Sequence, residues 1–225
     1  MKRVKNRYIW ILSVICVIAV IYLASNPSML TDIYNKVELS SSVVSGKLNI
    51  YFIDTGQSDS ALLTDGTYSV LIDAGDIDDG NNIASFIKSK GIDKLDTVII
   101  SHPHADHIGG MPEILKQIEV KQFYIPDIPD SLMPTTDCFE KTLELLEINK
   151  VETKIAEKGV AFTVGDMNFK VISPAKEYDD LNNISAVVRM TYGKSGFLFC
   201  GDAEKEVEND ILESGEYVSS DLIKV

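Results

Sequence analysis

The chain has 225 residues, of which 45% are hydrophobic and 24% charged. This is the length and composition of a globular protein with one core or two packed halves, so a disordered protein is excluded, and the lack of a repeat of about 20 to 50 residues excludes solenoids and propellers. The formal net charge of −13 opposes an extended nucleic-acid groove, because such grooves use lysine and arginine to neutralise phosphates.

The N-terminus has the pattern of a membrane anchor. Four basic residues precede an uncharged run from Tyr8 to Ala24, and as a helix these 17 residues reach roughly 25 Å, close to the hydrocarbon core of about 30 Å. The alternatives are a helix buried in a core and a cleaved signal peptide, but cleavage after Ala24 places the bulky Tyr22 where a small residue is needed. We therefore predict one transmembrane helix over residues 1–24, a cytoplasmic N-terminus, and an extracellular domain that is secreted if the anchor is cleaved.

Residues 25–46 are predicted to be a tether, and residues 47–225 a folded domain. In the domain, short β-branched runs alternate with helical patterns, which favours a mixed α/β layered fold. The predicted strands are Leu48–Ile53, Ser69–Ile72, Thr97–Ile100, Gln122–Ile125, Asn168–Ile172, Ala186–Tyr192 and Gly196–Cys200. The predicted helices are Asn81–Lys90, Met111–Ile118, Asp137–Lys150 and Ala203–Ser214.

Two side-chain predictions accompany these elements. The third helix carries Phe139, Leu143 and Leu146 on one stripe, which predicts that this stripe faces a sheet. Of the three cysteines only Cys138 and Cys200 lie outside the anchor, so we predict buried free thiols rather than a disulfide framework.

All 3 histidines of the chain fall in one short segment, directly after the predicted strand Thr97–Ile100. His102 and His104 are two positions apart and can aim their imidazoles at one ion, whereas Asp106 and His107 point to a neighbouring position. This spacing predicts two adjacent divalent metal ions. Nitrogen ligands suit zinc and the carboxylate also tolerates manganese, so we expect zinc first and manganese second.

The histidine segment, with the sequence HPHADH, resembles the signature of the metallo-β-lactamase superfamily. Two more motifs of that superfamily follow in the expected order, LIDAG at residues 71–75 and LFCGDA at residues 198–203. The segment YFIDTGQSDS at residues 51–60 is similar to the opening of the soluble domain of ComEC-type competence DNA-uptake proteins and their free-standing membrane-anchored relatives. The resemblance covers about residues 47–225 and implies an αββα sandwich.

The resemblance also implies a role for each candidate ligand. His102 and His104 hold one metal ion, Asp106 and His107 hold the other, and Asp202 bridges both. Asp106 is in addition the catalytic residue, which orients the nucleophile.

Two of the carboxylates have a structural interpretation as well. The resemblance implies that Asp73 supports the ligand loop, since carboxylates of this kind orient metal-bound imidazoles. Asp73 is equally consistent with a simple turn residue, and Asp202 with the N-cap of the helix that follows it.

The chain departs from relatives with complete two-metal sites in two places. It lacks their histidine between the first cluster and the bridging aspartate, and there it has Asn182, Asn183 and Ser185, which are candidates for holding substrate or water. It also lacks their His-His-Gly-Ser segment, since it stops after the strand-like run Asp221–Val225. We therefore expect a truncated sequence whose sandwich is incomplete at the C-terminus.

The function implied is hydrolysis of a phosphodiester, in DNA or a nucleotide, outside the cell. One alternative is a lactam, lactone or thioester hydrolase of the same fold. Another is a non-catalytic or single-metal binding module on the cell surface. Substrate and membrane are the predicted partners, and no protein partner is predicted.

Overall fold

The computed structural model describes residues 46–225. The predicted transmembrane helix (residues 1–24) and the predicted tether (residues 25–46), apart from Gly46, lie outside the described residues and stay predictions. Within residues 46–225, no helix is long and apolar enough to cross a membrane.

The first sheet has six strands, which are β1 (Asn49–Phe52), β2 (Ala61–Thr64), β3 (Ser69–Ile72), β4 (Lys94–Ile99), β5 (Glu119–Ile125) and β6 (Glu152–Ile155). They lie side by side in chain order, with antiparallel pairing from β1 to β3 and parallel pairing from β3 to β6. In β3, Val70 and Ile72 face one side of the sheet and Leu71 the other, and all three are buried. Both faces of this sheet are therefore covered, as is usual where strands run parallel.

The second sheet has five strands, of which the first four are β7 (Ala161–Val164), β8 (Met167–Ser173), β9 (Val187–Tyr192) and β10 (Ser195–Phe199), and the last is β11 (Leu222–Lys224). Their order across the sheet is β11-β10-β9-β8-β7, and β10 and β11 are the parallel pair. The strand-like run Asp221–Val225 thus forms an edge strand beside β10.

The helices are α1 (Gly80–Ser89), α2 (Ala105–Ile108), α3 (Met111–Gln117), α4 (Asp137–Ile148) and α5 (Lys205–Glu213), with a 3₁₀ turn at Asp130–Leu132. The helices α1, α3 and α4 cover the outer face of the first sheet through Ile83, Ile114 and Leu146. Helix α5 covers the outer face of the second sheet through Val207 and Ile211. The layer order is helix, sheet, sheet, helix.

The main core lies between the two sheets. Ile72 and Ile99 from the first sheet contact a cluster that includes Phe169, Met190 and Phe199 from the second sheet. Each of these five side chains is at most 4% exposed. Full burial of side chains of this size contributes roughly 1.5–3 kcal/mol each, so this layer holds the sheets together.

The predicted mixed α/β fold is confirmed. Each predicted strand and helix is present, with ends displaced by three residues or fewer. The strands β2, β6 and β7 were missed, because four-residue strands offer little periodicity, and in β2 every residue is buried.

The prediction for Leu143 is wrong, because its side chain is 43% exposed. Helix α4 buries Cys138, Phe139, Thr142 and Leu146. The Thr142 hydroxyl donates to the Cys138 carbonyl over 2.7 Å, so a polar side chain can sit at the centre of the buried stripe and Leu143 falls on its flank.

Candidate metal centre

The candidate ligands come from the carboxyl ends of strands in both sheets. Asp73 follows β3, the histidine segment follows β4, and Asp202 follows β10. The Ala186 N–H donates to the Ser101 carbonyl over 2.8 Å and ties the histidine segment to the second sheet. Residues far apart in the chain therefore meet at one edge of the sandwich.

One helical turn makes the histidine segment fold back on itself. His104 is the N-cap of α2, and its carbonyl accepts hydrogen bonds from the N–H groups of His107 and Ile108, both 3.0 Å long. The centroid of the His102 ring then lies 4.1 Å from that of His107 and 4.7 Å from that of His104. His102 and His107 are buried and His104 is partly exposed, so the three imidazoles converge from the interior toward the surface.

Gly110, two residues after this turn, explains why the segment holds its position. A Cβ at Gly110 would lie 2.2 Å from the Ala74 carbonyl oxygen and 2.9 Å from Gly80 Cα. Only glycine allows this approach. The end of the histidine segment is thus packed directly on the loop that carries Asp73.

The side-chain donor atoms face one another across a small gap. His107 Nε2 lies 3.2 Å from Asp202 Oδ1, and His102 Nε2 lies 3.9 Å from Asp202 Oδ2. His107 Nε2 is also 3.9 Å from Asp106 Oδ2. Ligand atoms on one tetrahedral zinc ion are roughly 3.3 Å apart, given Zn–N bonds of about 2.0–2.1 Å.

Three of these residues form the tightest group. Ligand atoms of His102, His107 and Asp202 all lie within 4.8 Å of one another. Imidazole nitrogen and carboxylate oxygen are the donors that zinc takes in proteins, so the group fits a divalent metal ion. Asp202 offers one carboxylate oxygen to each histidine.

Asp73 and Ser101 determine which ring nitrogens face this gap. Asp73 has only acceptors, so His107 Nδ1–H donates to Asp73 Oδ2 over 3.1 Å. The Ser101 hydroxyl donates to the same oxygen over 2.9 Å, which leaves Ser101 Oγ free to accept from His102 Nδ1–H over 3.1 Å. Both histidines therefore direct Nε2 toward the gap, and this is the nitrogen that binds metal once it carries no proton.

His104 is the hydrogen-bond partner of His102 Nε2. The distance from His104 Nδ1 to His102 Nε2 is 2.9 Å, so with this tautomer His104 Nδ1–H donates the hydrogen bond. A metal ion shared by the two rings would replace that hydrogen bond.

The electrostatics of the two buried histidines differ. Burial, reinforced by the nearby His107 and His104, lowers the pKa of His102 to about 2, so this ring stays neutral. Burial also acts to lower the pKa of His107, but the hydrogen bond to Asp73 and the charges of Asp73, Asp202 and Asp106 outweigh it and raise the pKa. A field that attracts a proton to His107 attracts a metal cation as well.

The turn before Asp202 depends on Gly201. Gly201 has φ +56°, and a Cβ there would lie 2.6 Å from Ser101 Cβ. The buried Ser185 hydroxyl accepts the Asp202 N–H over 3.3 Å. Asp202 therefore reaches the gap because the loop after β10 packs directly against the histidine segment, with no room for a side chain at Gly201.

The match to a known family covers this whole edge of the sandwich. The model of the metallo-beta-lactamase superfamily matches residues 53–222. The chain belongs to that superfamily.

Two relatives are similar to this chain over different lengths. ComE operon protein 3 of Bacillus subtilis (strain 168) is 32% identical over 141 residues, which are 62% of this chain and 18% of that protein. Ribonuclease J of Mycoplasma pneumoniae is 48% identical over 40 residues, 18% of this chain and 7% of that protein. The chain thus matches less than a fifth of the length of these relatives.

Solved metallo-beta-lactamases share the fold. The structure of the Cronobacter sakazakii enzyme with the HARLDQ motif superposes with a TM-score of 0.53 and 16% identity, over 77% of this chain and 76% of that one. At this identity the likeness establishes the architecture, which agrees with the layer order above.

The structure brings together all five residues expected to bind metal and places Asp73 behind them, in hydrogen-bond contact with His107. The substrate-loop candidates lie beside Asp202. Ser185 bonds to the Asp202 N–H, and Asn183 Oδ1 accepts the Glu204 N–H over 3.2 Å, so both brace the Asp202 loop. Asn182 Nδ2 reaches Glu204 over 3.4 Å.

The resemblance implies that the loop with Asp59 lies near the metals, and Asp59 Oδ2 lies 3.9 Å from His107 Nδ1. Two other site residues were missed at the level of sequence. Ser101 connects Asp73 to His102, but a lone serine before the histidines gives no local signal of that role. Lys224 contacts Asp59, and its signal was a charged residue at an inward-facing position of a strand.

Proposed function

We propose that this chain is a metal-dependent phosphodiesterase of the metallo-beta-lactamase superfamily, acting on single-stranded DNA or nucleotides outside the cell. The observation that carries the proposal is the convergence of His102 Nε2, His107 Nε2 and both Asp202 oxygens, with the tautomers set by Asp73 and Ser101. A group of imidazoles and carboxylates gathered this closely is costly unless it binds a cation.

In this proposal His102 and His104 hold one metal ion, Asp106 and His107 hold the second, and Asp202 binds both. Zinc is the first choice and manganese the second. When bound, two divalent ions lower the pKa of water and stabilise negative charge on phosphate oxygens.

The chain's own residues supply orientation and proton transfer. The Asp106 side chain is 47% exposed and lies beside His107 Nε2, so it can accept a proton from an attacking water. The Asp106 carbonyl also accepts the Asp59 N–H over 3.1 Å, which fixes the backbone that carries it. Asp73 keeps the His107 ring aimed at the gap throughout.

Two facts support a phosphodiester substrate. The relatives named ComE operon protein 3 and ribonuclease J share sequence with this chain, and the second name denotes a nuclease. The net charge of −13 disfavours an extended duplex groove, so short single strands and small nucleotides are the proposed substrates. The proposed location, a membrane-anchored domain on the outer face, rests on the basic and apolar pattern of residues 1–24.

The test uses the purified full chain with added Zn²⁺ or Mn²⁺. Cleavage of bis-p-nitrophenyl phosphate and of single-stranded DNA is expected, and Asp202→Asn should lower it by roughly 100-fold or more, since it weakens charge stabilisation in both metal positions. Asp166→Asn, an exposed residue in the turn between β7 and β8, is the matched control and should keep full activity. Activity on a lactam, lactone or thioester alone would reject the phosphodiester proposal in favour of another hydrolase.

One observation favours a second candidate, a single-metal binding module on the cell surface. The tightest donor group takes His102 from one proposed metal position and His107 from the other, so one ion bound by His102, His107 and Asp202 satisfies it. Metal analysis decides between the two. One ion per chain, without hydrolysis of any of these substrates, would establish the binding module.

A further inference from the structure

His107 faces a second cluster of carboxylates on the side opposite the candidate metal site. Ligand atoms of Asp59, Asp73 and His107 all lie within 4.8 Å of one another. Here the histidine atom is Nδ1, which is 3.1 Å from Asp73 Oδ2 and 3.9 Å from Asp59 Oδ2. We call this group the Nδ1 cluster. By composition alone it could also hold a divalent ion.

The two sides of the ring compete. A neutral imidazole has one unprotonated nitrogen, so an ion bound at Nδ1 moves the proton to Nε2. Nε2 then has no lone pair for an ion beside Asp202. Filling the Nδ1 cluster with metal would therefore disable the proposed site.

Lys224 lies beside this cluster, in contact with Asp59. It is paired in register with Phe199 on the parallel neighbour β10, and Phe199 is part of the core between the sheets. The Lys224 side chain therefore enters the inter-sheet layer and is only 16% exposed. Its ammonium contacts Asp59 Oδ2 directly, and its nitrogen is shielded from solvent.

We propose that Lys224 is a positioning residue, a built-in cation that neutralises Asp59 and excludes divalent ions from the Nδ1 cluster, so that His107 keeps Nε2 for metal. A buried ammonium is costly without a partner, and two carboxylates this close repel each other. The contact pairs the ammonium with an opposite charge and offsets that repulsion, and among the described residues Asp59 is the only partner of the Lys224 ammonium. The inference rests on the proposed metal site and specifies which face of His107 serves it.

The variant Lys224→Met keeps the length and apolar stem of the side chain and removes the charge. With the full chain labelled with ¹⁵N-histidine, the ring nitrogens report directly which one is protonated and which is bound to Zn²⁺. The 3 histidines of the chain keep this spectrum simple. In the unmodified protein His107 should bind Zn²⁺ through Nε2 and retain the proton on Nδ1.

In Lys224→Met, Zn²⁺ should appear at His107 Nδ1, and the affinity of the Nε2 site should fall by roughly 10-fold or more, the range typical when support around a ligand is lost. The double variant Asp59→Asn with Lys224→Met removes the competing carboxylate and should return binding to Nε2. The control is Lys170→Met, which breaks the ion pair between Lys170 in β8 and Glu216 and should leave the ring pattern unchanged.

The outcomes separate two failures. If Zn²⁺ moves no ring nitrogen of the unmodified protein, the proposed metal site is wrong and the role of Lys224 falls with it. If the unmodified protein binds through Nε2 and Lys224→Met does the same with equal affinity, the role of Lys224 alone is overturned. Should circular dichroism show that Lys224→Met is unfolded, Lys224→Gln, which retains a polar end, replaces it under the same criteria.

Discussion

The contact between Asp73 and His107 makes a sharp prediction for Asp73→Asn. Asp73 is 3% exposed and accepts three hydrogen bonds, from Ser101 N–H at 2.7 Å, Ser101 Oγ at 2.9 Å and His107 Nδ1 at 3.1 Å. Asparagine has the same shape and tolerates the φ of +58° found at this residue, so the backbone conformation is preserved.

The magnitude follows from the geometry. The best orientation of the new amide places its oxygen toward Ser101 Oγ and His107, which sets its NH₂ group against the Ser101 N–H. At least one hydrogen bond to a charged acceptor is lost, at about 1.5–3 kcal/mol. We expect the free energy of unfolding of the metal-free protein to fall by about 2–3 kcal/mol on this basis.

Asp73→Asn should also change the pKa of His107 and the affinity for Zn²⁺. Asp73 provides the hydrogen bond and much of the charge that raise the pKa of His107, so that pKa should fall in the variant. Zn²⁺ affinity should fall by roughly 10- to 100-fold, because a neutral amide no longer strengthens the imidazole as a ligand. Chelator competition measures the affinity, and NMR titration of the metal-free protein measures the pKa.

The matched control is Asp96→Asn. Asp96 is likewise buried at 8% exposure, and its carboxylate accepts the Ser69 N–H over 3.0 Å and Lys121 Nζ over 2.7 Å. It should lose comparable stability and keep its Zn²⁺ affinity. Equal affinities for Asp73→Asn and the unmodified protein, or an equal loss in both variants, would refute the account of Asp73 as the residue that orients His107.

Three further predictions rest on single features. First, His102 takes up a proton near pH 6.5 in the unfolded chain, whereas the folded ring stays neutral. The metal-free protein should therefore lose about 1.4 kcal/mol of stability per pH unit as the pH falls from about 6.5 to 5. In urea titrations, His102→Gln should lack this slope. Second, Gly201→Ala should lower the free energy of unfolding by at least about 2 kcal/mol and weaken Zn²⁺ binding, because the new Cβ collides with Ser101. The control Gly193→Ala has a similar φ but open space around the new Cβ. It should lower the free energy of unfolding by only about 1–2 kcal/mol and leave Zn²⁺ binding unchanged. Third, burial and a nearby carboxylate raise the pKa of Cys200 to about 11. Iodoacetamide at pH 8 should therefore modify Cys200 far more slowly than a free thiol, which peptide mass mapping measures.

The sequence was sufficient for the elements with clear periodicity. Helices α1 and α5 were predicted because their buried residues repeat at helical spacing, over about two turns in α1 and about one turn in α5. The cluster of His102, His104 and His107 was also predictable, since side chains this close in one turn must end near each other. In both cases the deciding interactions lie within about ten residues of the chain.

The motif resemblance named Asp73 and Asp202, but only the tertiary structure shows how they contact the histidines. Asp73 and His107 meet because β3 and β4 are neighbours in the first sheet, whereas Asp202 reaches His107 only because the second sheet packs against the first. The side of the His107 ring that faces each carboxylate is likewise decided by Asp73 on one side and Asp202 on the other. Lys224 appeared in the sequence as the end of a strand, and its contact with Asp59 exists because β11 pairs in parallel with β10 and turns that lysine into the layer between the sheets. Register and sheet packing, which are long-range and cooperative, set these contacts, so they could not be derived from the order of residues.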